Sequence, residues 1–147
     1  MSTGQSQVSE QFVGAWSLIS WTATLPDGTI RHPYGEQPLG RIMYSPNGKM
    51  VACLMRRHRI RCASDNRHEA TSAERDAAYR DYVSYFGAFS VDATNSTVTH
   101  HVEGATFPNW IGTDLVREFC FADQELTLSL LGPDGSAHAL KWERLSE

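Results

Sequence analysis

The sequence predicts a mainly β domain, an eight-stranded antiparallel up-and-down barrel with one helix inserted mid-chain. Three observations carry this reading. Short apolar runs recur along the chain, residues suited to tight turns separate them, and only one segment shows a helix start signal. The length of 147 residues suits one domain, and 41% hydrophobic residues supply a core.

Residues 1–11 are rich in Ser and Gln and read as a flexible tail, which leaves 12–147 as the barrel domain. The run 12–24 is rich in Trp, Ile, Leu and Val, as strands are. Leu25-Pro26-Asp27-Gly28 follows as a turn, because Pro presets φ and Gly accepts positive φ. The stretch 31–39 reads as loop. Runs 40–45 and 49–56 flank Pro46-Asn47-Gly48, a strong hairpin signal. Thr71-Ser72-Ala73-Glu74 fits a capping box and starts the helix. Ala78, Tyr82, Tyr85 and Phe86 then fall near one helical face, with Gly87 placed to stop it. Strands follow at 88–92, 97–103, 113–122, 125–131 and 137–145.

Barrel strands alternate inward and outward residues, so alternation sorts the polar side chains. His100 shares a face with Val98 and Val102, while His101 falls on the other. Arg117 shares a face with Leu115, Phe119 and Phe121. His138 and Arg144 share one with Leu140 and Trp142, and Tyr44 joins Ile42. An interior Arg flanked by His and Tyr suits a carboxylate, enolate or phenolate. The competing readings are an internal ion pair for Arg117 and a satisfied core histidine for His100. A register slip of one residue exchanges the faces.

Gly14-Ala15-Trp16 matches the G-x-W of lipocalin first strands. Arg144 occupies the place of the arginine that packs over that tryptophan. The stretches PLGRIMYSPNGKMVACLMR, YVSYFGAFSVD and THHVEGATFPNWIGTDLVREF, with the terminal KWERL, resemble the bacterial and fungal lipocalin-like domain family over residues 12–145. The resemblance implies a lipocalin-like, calycin-type barrel with Trp16 and Arg144 as its end plug. Related barrels in natural-product pathways include cofactor-independent cyclases and isomerases as well as carriers, so the resemblance implies the fold far more than the chemistry. The link 103–112 holds Phe107, Trp110 and Ile111, and serves as a lid over the pocket, as plain packing or as a homodimer contact.

Net charge is −4, which disfavours nucleic-acid binding by bulk charge. No run reaches the roughly 18 apolar residues of a membrane helix. The first ten residues lack an apolar signal-peptide centre, so a cytoplasmic location is expected. Segment 56–67 carries five of the thirteen basic residues and a single acid, and reads as a solvated loop or as a contact for an anionic partner. Cys53, Cys62 and Cys120 form no C-x-x-C pair, and no metal is expected.

No G-x-S-x-G, phosphate-binding loop or dinucleotide fingerprint occurs, so no cofactor is expected. The catalytic candidates are His100 and His138 as general acid–base and Arg117 as oxyanion stabiliser. The ligand-contact candidates are Tyr44, Arg117, Phe119, Trp142, Phe107 and Trp110. Together they describe a barrel that binds a small hydrophobic or anionic molecule and acts as an isomerase, cyclase or related enzyme. A non-catalytic carrier uses the same residues, and a filled barrel acting as an interaction module is the third reading.

Overall fold

A computed structural model describes residues 3–146. Two helices and nine strands follow one another as α1 (Thr3–Phe12), β1 (Gly14–Thr24), β2 (Ile30–Arg31), β3 (Leu39–Tyr44), β4 (Lys49–Met55), α2 (Ser72–Arg80), β5 (Tyr82–Asp92), β6 (Thr97–Ala105), β7 (Asp114–Ala122), β8 (Glu125–Leu131) and β9 (Ala137–Arg144). From β3 to β9 each strand pairs antiparallel with the next, and β1 pairs with both β3 and β9. The sheet therefore closes into an eight-stranded up-and-down barrel, and the two-residue β2 only extends the end of β1. Closure removes free edges, which would otherwise template pairing with other chains.

The two ends differ because connection lengths alternate. Short turns after β3, β5 and β7 gather at one end with α1, while the long connections 25–38, 56–81 and 106–113 gather at the other. The first end is plugged. Arg144 lies 4.2 Å over the Trp16 ring and donates to Val13 O at 2.8 Å and to Gln11 O. Trp16 Nε1 donates to Phe12 O at 2.9 Å. Phe12 is fully buried, with its ring edge-on to Tyr44, Phe119 and Phe121.

Three expectations need correction. Where a flexible tail is expected over 1–11, residues Thr3–Phe12 form α1, and residues 1 and 2 lie outside the described residues. Val8 and Phe12 supply the reason, since both pack on the core and anchor the segment.

The helix is real but shorter than its apolar spacing suggests. Its capping box is present, with Glu74 N donating to Thr71 Oγ1 and Thr71 N to Glu74 Oε1. It ends at Arg80, and Tyr82 begins β5, six residues before the expected start of that strand. Tyr85 is therefore buried on the inner face while Phe86 points out, 53% exposed. Residues 83, 85, 87, 89 and 91 satisfy a two-residue period, and pairing with both β4 and β6 overrides the helical spacing.

Gly87 does not stop a helix. It sits at a register shift in the β5–β6 ladder, where a Cβ would come within 1.9 Å of His101 O. A side chain is excluded there by backbone contact. The third correction is β2, which pairs where a loop is expected from residue 31.

Candidate functional site

Alternation places the candidate residues as expected. On β6, Val98, His100 and Val102 are buried. On β7, Leu115, Arg117, Phe119 and Phe121 face in while Val116, Glu118 and Cys120 are exposed. On β9, His138, Leu140, Trp142 and Arg144 share the inner face.

His100 forms the centre of the wall. Its Nε2 is 2.7 Å from the Tyr44 hydroxyl and its Nδ1 is 2.7 Å from the Tyr85 hydroxyl. Tyr44 reaches it from the plugged half of β3, and Tyr85 from the open half of β5. Burial, with Arg117 and then His101 adding, lowers the His100 pKa from 6.5 to about 3, so the ring is neutral at physiological pH. A neutral imidazole has one N–H and one acceptor nitrogen, so one tyrosine donates to it and the other accepts from it. Both hydroxyls are driven upward from the usual phenol range, mainly by burial, and Arg117 pulls each back down. The Arg117 guanidinium is thus an electrostatic neighbour of the whole Tyr44–His100–Tyr85 cluster. No carboxylate pairs with Arg117 among the described residues.

His138 lies apart, toward the open end, where its Nδ1 accepts from Trp21 Nε1 at 3.0 Å. Burial lowers its pKa, with Asp134 opposing. Trp142 is buried, and its Nε1 has no hydrogen-bond partner. Trp110 packs edge-on against Tyr85 at 5.7 Å, with Phe107 behind it at 5.5 Å, so the 106–113 link reaches Tyr85 through Trp110. Phe107 itself is 38% exposed. Tyr85 is the site residue that sequence reasoning misses. The period-two run through Val83, Tyr85, Phe89 and Val91 is the signal that would have placed it.

On the outer face, His101 bridges Ser90 and Asp114, each at 2.8 Å. The order Ser–His–Asp matches a hydrolytic triad, but Ser90 lies mid-strand, paired with Thr99, where backbone N–H groups serve the ladder rather than an oxyanion. The three residues tie β5, β6 and β7 together. Arginines of the basic segment make similar ties: Arg56 to Asp81 and Pro33 O, Arg57 to Gln37 O, and Arg59 to Ala78 O. No three His, Cys, Asp or Glu side chains among the described residues group as a metal site. No helix among them is long and apolar enough to cross a membrane.

Comparison with known proteins gives three kinds of likeness. The model of a family described as a lipocalin-like domain matches residues 13–145. A curated Aspergillus oryzae protein, the 4'-hydroxy-3'-methoxypropiophenone carrier protein ppsC, is 39% identical over 69 residues, which is 43% of this chain and 62% of that protein. The chain thus spans less than two thirds of that relative. Among solved structures, a redesigned β barrel is 13% identical with a TM-score of 0.48, over 94% of this chain and 95% of that one. A variant of the fluorescent protein UnaG is 14% identical with a TM-score of 0.44, over 94% and 99% respectively.

Proposed function

The chain belongs to the lipocalin-like domain family, and from that premise we propose that it binds a small, largely apolar molecule inside the barrel and carries it. The observation behind this reading is the inner face of β7. Leu115, Arg117, Phe119 and Phe121 all face in yet all keep solvent-accessible surface, whereas the inner residues of the neighbouring β6 and of the more distant β4 are buried. A barrel filled by its own side chains leaves no such strip. Arg117 anchors the polar end of the ligand, Tyr44 or Tyr85 offers a hydroxyl, and Phe119 and Trp142 supply apolar wall. Trp110 covers the open end above Tyr85, with Phe107 supporting it.

The curated relative is named a carrier of an aryl ketone bearing a phenol, which supports carriage of a natural-product-like aromatic. The free thiols Cys53, Cys62 and Cys120 fit a reducing compartment such as the cytoplasm. A second reading, cofactor-independent isomerisation or cyclisation, draws on the same wall. His100 is neutral with both nitrogens engaged, so the groups able to exchange a proton with a ligand are the tyrosine hydroxyls and His138.

Titration with 4'-hydroxy-3'-methoxypropiophenone, followed by tryptophan fluorescence, tests carriage. Arg117→Ala is expected to weaken binding by about 1.5–3 kcal/mol, roughly tenfold to a hundredfold, with the unfolding midpoint little changed because no ion pair is broken. Unchanged affinity in the variant would remove Arg117 from the site.

A further inference from the structure

The head group that the barrel accepts follows from the hydrogen-bonding groups of its interior. The Tyr44–His100–Tyr85 cluster holds three protons, two phenolic and one on the neutral imidazole, but makes only two hydrogen bonds. One tyrosine O–H is therefore left over as a donor, while the hydroxyl oxygens keep acceptor capacity that faces the Arg117 guanidinium. Trp142 Nε1–H is buried and unpartnered. Arg117 has five N–H donors, of which Nη1 reaches Val116 O at 3.5 Å and others face the Tyr85 hydroxyl, and it has no carboxylate partner among the described residues. His138 accepts from Trp21 at Nδ1, so its neutral ring carries its proton at Nε2 and adds another donor at the open end. Against these, the described inner-face residues of the strands include no Asp or Glu.

Resting on the binding reading, we infer that the barrel selects ligands whose head group is an oxyanion with acceptor atoms only, a carboxylate or the deprotonated form of a phenol or enol. It discriminates against ammonium heads, which the uncompensated Arg117 charge repels. An unpaired buried donor lacks its hydrogen bonds until an acceptor arrives, so each unspent donor favours acceptors over donors. Arg117 supplies the charge, and the leftover tyrosine proton and Trp142 Nε1–H supply direction. The selectivity runs against the surface, since the chain as a whole carries a net charge of −4.

Three probes with one skeleton test this: 3-phenylpropionate, 3-phenylpropanol and 3-phenylpropylamine, titrated at pH 7 by calorimetry into the full chain. The carboxylate is expected to bind at least tenfold more tightly than the amine, with the alcohol between. In Arg117→Met the gap is expected to close. In proton–nitrogen spectra, the carboxylate is expected to move the Trp142 indole N–H signal downfield, while those of Trp16 and Trp21, already donating, stay in place. Equal binding of carboxylate and amine, or tighter binding of the amine, would overturn the inference and leave the binding reading standing. No binding by any of the three would count against both.

Discussion

His100 shows how a single residue can be correctly placed by its sequence neighbours and yet differ in role. Its inward direction follows from alternation with Val98 and Val102. Its chemistry does not, because that depends on hydroxyls from two other strands. Folded His100 protonates only near pH 3, whereas an unfolded histidine protonates near 6.5. Between these values the unfolded chain binds more protons, so this group lowers stability as pH falls through that window. Its imidazole nitrogen shifts are expected to stay flat from pH 8 to 5, and a titration midpoint near 6.5 would contradict the burial argument. Tyr85→Phe leaves the His100 Nδ1 without a partner in a buried site. A loss of about 1–3 kcal/mol in denaturant unfolding is expected. Gly87→Ala is harsher, since its Cβ meets the His101 carbonyl. That substitution belongs with the large destabilisations of about 4 kcal/mol or more, and near-normal stability would mean that β5 and β6 are not in this register.

At the scale of elements, what the sequence reveals depends on whether a local signal competes with a long-range one. The Thr71–Glu74 capping box marks the start of α2 correctly because nothing opposes it. Thr71→Ala is expected to cost about 1 kcal/mol, read from thermal unfolding. The end of the helix is obscured because Ala78, Tyr82, Tyr85 and Phe86 satisfy a helical spacing as well as a strand one. Partners on β4 and β6 decide between them, and no window of sequence contains those partners. Residues 1–11 lack an apolar stripe, so α1 is illegible locally. Its anchoring contacts, Val8 and Phe12, are made against a core built from distant strands. By contrast, β7 is legible residue by residue, because one face is wet and the other lines the interior.

For the whole molecule, the barrel has one end plugged by α1 and one end crossed by long connections. The plug of Trp16, Arg144 and Phe12 holds α1 against the β1–β9 seam, and the long connections cross the other end, where Trp110 and His138 lie. Arg144→Met removes the cation–π contact and both carbonyl contacts, and is expected to lower stability by roughly 1–3 kcal/mol while ligand affinity is retained. A matching loss of affinity would place the ligand at the plugged end instead. The central claim is that a small molecule sits inside, against β7 and the His100 wall. Chemical-shift mapping during titration with 3-phenylpropionate tests it most directly. Saturable changes are expected at Leu115, Arg117, Phe119 and the Trp142 indole. Changes confined to the exposed outer row of Met43, Val51 and Phe86 would contradict it.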